Sequence, residues 1–281
     1  MVRPALVVLA ARAIRDADLP WEPIYDVAAA AELIHVASLI HDDVIDRAPT
    51  RRSVSSVNGR WGNHTAVLTG DYLFARAFRL LEGHAARGMV SLMTEAIAAM
   101  CEGEALQKEQ AYDPLVTEEA YIRRIEGKTA ALLAACCEAG ARLAGADDAA
   151  AKALRTFGLK TGIAYQIVDD SLDLVGSGEV IGKPAGSDLR QGILTLPVIL
   201  LMEDPAWRRR VRALIHEGRL DDHAVEVVRS GAVETGALHR ARQVAEATAE
   251  EAVEHLHFAG CRGEAVAALS CFSREAVHRL R

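Results

Sequence analysis

Two segments of this chain place three aspartates in the same spacing, Asp42-Asp43-x-x-Asp46 and Asp169-Asp170-x-x-Asp173. On a helix of about 3.6 residues per turn the first and last of each trio share a face, and the middle one sits about 100° around it. Like charges one turn apart repel, and the negative end of a helix is a poor place to gather more carboxylates. Packing gives no reason to assemble six acids in this way; a divalent cation does. Carboxylate clusters without cysteine suit hard cations. Mg²⁺ takes a few carboxylates and completes its shell with water and with phosphate oxygens of a substrate.

Basic residues follow at telling distances. Arg51-Arg52 lies just after the first cluster, where two guanidiniums can meet phosphates with bidentate geometry. The chain has five lysines, Lys108, Lys128, Lys152, Lys160 and Lys183, so Lys128-Thr129 and Gly182-Lys183-Pro184 stand out against a sparse background. Acid clusters, Mg²⁺ and scattered cations together describe a diphosphate site. No Gly-x-x-x-x-Gly-Lys-Ser/Thr run is present, which argues against a P-loop nucleotide enzyme.

The elements that must position these groups are helices. Alanine, leucine and arginine dominate, aromatics are 5%, and alternating β-branched patterns are almost absent. The periodicity predicts helices over Pro4–Arg15, Glu22–Ile45, His64–Gly83, Met89–Gln110, Thr117–Leu143, Ala149–Leu174 and Leu189–Met202. Further helices are predicted over Pro205–Glu217, Asp221–Ser230, Ala232–Phe258 and Arg262–Arg281. Thr117 followed by two glutamates reads as an N-cap, Asp204-Pro205 as a helix start, and Gly83, Gly140 and Gly145 as C-caps. Two loops carry functional texture, Ala48–Asn63 and Gly176–Asp188. The octet Leu39–Asp46 echoes Gln166–Asp173, so each aspartate trio closes a long apolar helix. No linker or composition shift divides the 281 residues, which read as one domain.

Hydrophobic residues make up 51% of the chain and charged residues 25%, enough for a sizeable core and against disorder. A formal net charge of −7 argues against a nucleic-acid binder. Five cysteines without a framework spacing point to reduced thiols in the cytoplasm, with adjacent Cys136 and Cys137 read as packing residues. No signal peptide and no membrane span is expected, since no run reaches about 18 uninterrupted apolar residues.

Taken in order along the chain, these residues resemble the trans-polyprenyl diphosphate synthases. Ile40–Asp46 with Arg51-Arg52 is similar to the family's first aspartate motif, and Tyr165–Asp173 to its second. Gly70-Asp71-Tyr72-Leu73, Gly103-Glu104, Gly127-Lys128-Thr129, Gly182-Lys183-Pro184 and Ser187–Gly192 match in order, so the likeness covers nearly the whole chain. The resemblance implies an all-α, single-domain isoprenoid-synthase bundle, of about ten to a dozen helices around a deep central cavity, with both aspartate motifs at its mouth. It implies a cytoplasmic homodimer that joins isopentenyl diphosphate head to tail with an allylic diphosphate. It implies Mg²⁺ as cofactor, on the order of two or three ions per site. By the same likeness Asp42, Asp46 and Asp169 are the main metal ligands, supported by Asp43, Asp170 and Asp173. Arg51, Lys128 and Lys183 hold the allylic diphosphate, and Arg3, His35 and Arg52 hold isopentenyl diphosphate. Thr129 and Gln166 turn oxygen dipoles toward the allylic cation.

Product length is expected to be set one turn before Asp42, at Ala37 and Ser38. In the family bulky aromatics near there stop growth early. Small residues at these two positions, continued by Ala28–Ala31, predict a product longer than about twenty carbons. Met89, Met93 and Met100 are candidates for a deeper floor. One departure bears on the start of the chain. The family places Gly-Gly-Lys before x-x-Arg-Pro, whereas Met1-Val2-Arg3-Pro4 opens this sequence. A preceding helix and lysine are therefore expected upstream of residue 1. Three other readings compete: a short-chain synthase, a subunit of a heteromeric synthase, and a class I terpene cyclase. The cyclase would pair one Asp-rich helix with an Asn/Ser/Glu metal motif. A di-iron carboxylate bundle is the most distant, suggested by Glu-x-x-His at Glu32–His35, Glu254–His257 and Glu275–His278.

Overall fold

The computed structural model describes residues 1–51, 54–85, 88–176, 186–261 and 263–278. The chain is all-α. Its helices are α1 (Val2–Ile14), α2 (Trp21–Ile45), α3 (Val57–Glu82), α4 (Met89–Glu109), α5 (Glu118–Ile125), α6 (Ala131–Leu143) and α7 (Asp148–Val175). They continue with α8 (Ser187–Arg190), α9 (Leu196–Leu201), α10 (Pro205–His216), α11 (Asp222–Glu234), α12 (Ala237–Phe258) and α13 (Glu264–His278). Among the described residues the only strands are β1 (Thr50–Arg51) and β2 (Val54–Ser55), an antiparallel pair with Arg51 opposite Val54.

The chain forms two compact units. One comprises Met1–Ala98, Leu132–Gly158 and His255–Leu269; the other comprises Ala99–Ala131, Leu159–Glu254 and Ser270–Arg281. In the first unit α2 packs against α1 and α3. Its core is built from Leu6, Val7, Ile24, Val27, Ile34 and Leu81, all at most 1% exposed. Small residues let helices approach closely: a Cβ at Gly140 would overlap the carbonyl of Val7 on α1. Gly140 is therefore a packing glycine inside α6 rather than the expected C-cap, whereas Gly145 (φ 86°) and Gly83 do sit at helix ends. By length and composition α2 is apolar enough to cross a membrane, the one such helix among the described residues. It carries Glu22, Asp26, Glu32, Asp42 and Asp43 along its length.

The second unit is cored by Tyr121, Ile125, Ile167, Val168, Leu194 and Leu196, with α10, α11 and α12 packed around them. Here the expected helix over Leu189–Met202 is broken in two. Gly192 adopts φ 74°, its carbonyl accepts from the Tyr112 amide at 2.8 Å, and Pro197 opens α9. The expected boundary between Asp221–Ser230 and Ala232–Phe258 shifts to Gly236 (φ 75°), so α11 runs on to Glu234. Thr117 caps α5 by accepting from the Ala120 amide at 3.2 Å, and Asp204 caps α10 through the amides of Ala206 and Trp207.

Candidate active site

The first aspartate trio stands where α2 stops. Arg47 takes the left-handed conformation (φ 52°). Its amide donates to Val44 O at 3.2 Å, and the Ala48 amide donates to Asp43 O at 2.9 Å. These are the two bonds of a Schellman close, made with arginine where glycine is usual. Asn58 Nδ2 then donates to the carbonyls of Asp43 and Ala48 at 3.0 and 3.1 Å, and Ser56 Oγ donates to Ala48 O at 2.7 Å. Ser56 also caps α3 by accepting from the Gly59 amide. For that reason α3 begins seven residues before the expected His64, with a break at Gly62 (φ 83°) near the expected start.

The short hairpin between these helices sets Arg51 against Asp43. Arg51 Nε lies 2.9 and 3.1 Å from the two carboxylate oxygens, and Nη2 lies 2.8 Å from Oδ1. Asp43 is buried by this bidentate pair, whereas Asp42 is half-buried and Asp46, at the helix C-cap, is exposed. His41 Nε2 is 3.2 Å from Val67 O and 3.7 Å from Asp71 Oδ1. A Cβ at Gly70 would overlap that imidazole, which accounts for the Gly70-Asp71 pairing on α3. Arg3 and His35 are both half-buried in this unit, and Cys136 lies fully buried within electrostatic range of Arg3 and Glu32. Burial pushes the Cys136 thiol up to about 12 and raises the Cys137 thiol well above its ordinary value, consistent with packing roles. Ala37 is fully buried, as are Met89 and Met93, and Ser38 donates to His35 O at 2.8 Å within its own helix. Ala28, Ala30 and Ala31 are buried while Ala29 is exposed, and Met100 is half-buried. Arg52 and Lys183 lie outside the described residues.

The expected helix over Thr117–Leu143 is found as α5 and α6 with a π-turn between them, Glu126–Ala130, which lies in the second unit. The widened turn carries Lys128 and Thr129. It is fitted against α4 by two glycines. A Cβ at Gly127 would sit 2.6 Å from Ala99 O, and one at Gly103 would sit 2.9 Å from Arg124 O and nearer still to the Lys128 amide nitrogen. The crossing also sets Lys128 Nζ 2.6 Å from Glu104 Oε2, with Lys108 Nζ 3.6 Å from the other oxygen.

Thr129 Oγ1 donates to Gln166 Oε1 at 2.8 Å, and Gln166 Nε2 donates to Asp170 Oδ1 at 2.6 Å. Tyr121 Oη donates to the other oxygen of Asp170 at 2.8 Å. Asp170 is thus buried and engaged, Asp169 beside it is exposed, and Asp173 accepts from the Asp188 amide at 3.0 Å. Burial pushes the Asp170 carboxyl up to about 6, against the opposing pull of the Gln166 and Tyr121 hydrogen bonds and the Arg124 charge. Arg124 is itself buried, donating to Gln110 Oε1 at 2.9 Å and to Leu194 O at 2.8 Å. Each trio therefore divides in the same way. Its middle member is buried in a local network, and one or both outer members remain accessible.

Mg²⁺ suits what is left accessible. Asp42, Asp46 and Asp169 offer hard oxygen donors at or near the surface. Among the described residues no three His, Cys, Asp or Glu side chains form a ready cage. The Glu-x-x-His pairs of a di-iron site are not gathered, and Glu254, His257 and Glu275 are exposed. Sequence reasoning missed Tyr121, Arg124, Glu104 and Asn58 as parts of the site. Glu104 carried a signal, being next to Gly103 in a matched motif. Tyr121 and Arg124 share a helix face but carried none.

The family model of polyprenyl synthetases matches residues 1–230. The octaprenyl diphosphate synthase of Escherichia coli (strain K12) is 37% identical over 257 residues, 91% of this chain and 78% of that protein. Component 2 of the heptaprenyl diphosphate synthase of Geobacillus stearothermophilus is 45% identical over 217 residues, 76% of this chain and 65% of that one. Among solved structures, a polyprenyl synthase from Caulobacter crescentus CB15 complexed with calcium and isoprenyl diphosphate superposes with a TM-score of 0.91 at 34% identity. It covers 99% of this chain and 84% of its own. With both aspartate helices, the basic hairpin and the glycine-fitted π-turn in place, the chain belongs to the polyprenyl synthetase family, the prenyltransferases of isoprenoid biosynthesis.

Proposed function

We propose that this chain carries out Mg²⁺-dependent, head-to-tail condensation of isopentenyl diphosphate with an allylic diphosphate, making a trans-polyprenyl diphosphate longer than about twenty carbons. The observation that carries this reading is that in each unit an apolar helix ends in an aspartate trio whose middle member is buried, Asp43 against Arg51 in one and Asp170 against Gln166 and Tyr121 in the other, with Asp46 and Asp169 exposed. When bound, Mg²⁺ supplies Lewis-acid neutralisation of the charge that grows on the leaving diphosphate. Arg51 and Lys128 add cations beside the allylic diphosphate, and Lys183 joins them by the family likeness. The carbon–oxygen bond breaks heterolytically, its electron pair leaving with the diphosphate. Thr129 and Gln166 present oxygen dipoles to the resulting allylic cation. Arg3, His35 and Arg52 hold isopentenyl diphosphate so that its double bond lies against that cation, where proximity supplies much of the acceleration. A proton is then lost to the released diphosphate, so the step asks for no side-chain base.

The length reading rests on small, buried Ala37 and on relatives that make heptaprenyl and octaprenyl diphosphates. Residues 1–281 act as one polyprenyl synthase domain in the cytoplasm, working as a homodimer. The relative described as component 2 of a heptaprenyl synthase favours a second assembly, in which this chain is the aspartate-bearing half of a two-component enzyme. The test is to incubate the purified protein with Mg²⁺, isopentenyl diphosphate and, in turn, the ten-, fifteen- and twenty-carbon allylic diphosphates, then size the dephosphorylated products. Products beyond about twenty carbons support the reading. No elongation with any primer refutes it for the chain alone, and light scattering of the same sample distinguishes one copy from two.

A further inference from the structure

Gln166 is an amide with two chemically different ends, and something must decide which end faces Thr129. The carboxylate of Asp170 can only accept, so it binds the NH₂ end of Gln166 at 2.6 Å and leaves the carbonyl end to Thr129 at 2.8 Å. A flipped amide would set two oxygens against each other. Asp170 is itself fixed on its second oxygen by the hydroxyl of Tyr121 at 2.8 Å. Tyr121 is fully buried, with the guanidinium of Arg124 placed 5.3 Å from its ring centre. Arg124 is tied to Gln110 and to the Leu194 carbonyl, so the phenol has little freedom to move.

We propose that Tyr121 is a positioning residue for prenyl transfer: acting through Asp170, its hydroxyl fixes the amide of Gln166 and hence the lone pairs that Thr129 and Gln166 turn to the allylic cation. This rests on the function proposed above and gives it a residue that touches neither substrate nor metal. Removing the hydroxyl leaves a buried carboxylate with one donor fewer, free to rotate away from the amide it orients. The loss falls on the transition state, where the cation exists, and not on the ground-state binding of either diphosphate.

The experiment is a double-mutant cycle of Tyr121→Phe and Gln166→Leu, read by steady-state kinetics and by thermal unfolding. Tyr121→Phe is expected to lower kcat about 10- to 100-fold, with KM for each diphosphate changed less than about twofold. Mn²⁺ binding in the presence of inorganic diphosphate, followed by electron paramagnetic resonance, should not change. In the Gln166→Leu background the second substitution should add less than about threefold. Fully multiplicative losses, a change confined to KM, or a kcat within about twofold of wild type would overturn the proposal. Should Tyr121→Phe fail to fold, Asp170→Asn takes its place in the same cycle with the same expected non-additivity. Coupling in the unfolding midpoint needs no turnover. A wild-type protein that does not elongate any primer while this coupling persists counts against prenyl transfer. Independent effects of the two substitutions on the midpoint count against Tyr121.

Discussion

Gly103→Ala isolates the fit between α4 and the π-turn. The added Cβ would stand 2.9 Å from Arg124 O and from Gly127 C, and closer to the Lys128 amide nitrogen, where ordinary contact needs at least 3.4 Å. All of these are backbone atoms, so no rotamer change relieves the overlap. The two segments must part by at least 0.5 Å, the difference between 3.4 and 2.9 Å, and by more at Lys128. Overpacking of this kind costs about 1–3 kcal/mol, and a backbone clash belongs at the upper end. The sign is diagnostic, because Gly→Ala inside an unhindered helix stabilises by about 1 kcal/mol through helix propensity. Gly83→Ala is the control: at that helix end φ is −59° and the nearest atom to a new Cβ is Leu80 O at 3.9 Å. Denaturant unfolding of metal-free protein should show Gly103→Ala destabilised and Gly83→Ala neutral or stabilised. A displacement of about 1 Å at Lys128 and Thr129 should also lower kcat roughly 100-fold. A Gly103→Ala protein as stable as wild type, or one with kcat within about threefold, would refute the close-crossing argument.

Three further outcomes follow from the site. A carboxyl raised in the folded state contributes stability that is complete below its unfolded value of about 4 and is lost as pH rises through about 6. Asp170→Asn should therefore gain stability relative to wild type between pH 4 and pH 7, by on the order of 1–3 kcal/mol in chelator-treated protein, and a difference independent of pH contradicts the burial argument. Ala37→Phe sets a ring five residues, roughly 7.5 Å along the helix, before Asp42, and should shorten products toward fifteen or twenty carbons while elongation persists; unchanged product size rules out this path for the chain. Arg51→Lys gives up the bidentate contact with Asp43 and should lower the unfolding midpoint and raise KM for the allylic diphosphate about tenfold, and unchanged values of both would show that the hairpin arginine is dispensable.

The sequence announced both aspartate helices because a carboxylate repeat closing an apolar helix has few explanations, and α2 and α7 lie within a residue or two of the expected bounds. The family likeness ranked the members of each trio; their spacing alone does not. Asp43 and Asp170 are set apart by burial against groups that other elements bring, Arg51 on the hairpin and Tyr121 on α5. The π-turn was hidden for a similar reason. Glu126–Ala130 satisfies helix propensity equally well as α, and the wider turn is fixed by the approach of Gly103 and Gly127. Gly140 was misjudged because a glycine that caps a helix and one that admits a neighbouring backbone look alike in one chain. The break before α9 was legible in principle, since Gly192 and Pro197 both interrupt a helix, and the run of apolar residues between them masked the signal.

The central claim is that each aspartate helix supplies a carboxylate essential to ionising the allylic diphosphate. Its most direct test is the single-turnover rate of diphosphate release by Asp42→Ala and Asp169→Ala, each checked for an unchanged unfolding midpoint in chelator and compared with wild type at saturating Mg²⁺. The account expects both rates to fall by about a thousandfold, as loss of several kcal/mol of charge stabilisation requires. Release within about tenfold of wild type by either variant, with its fold intact, would contradict it.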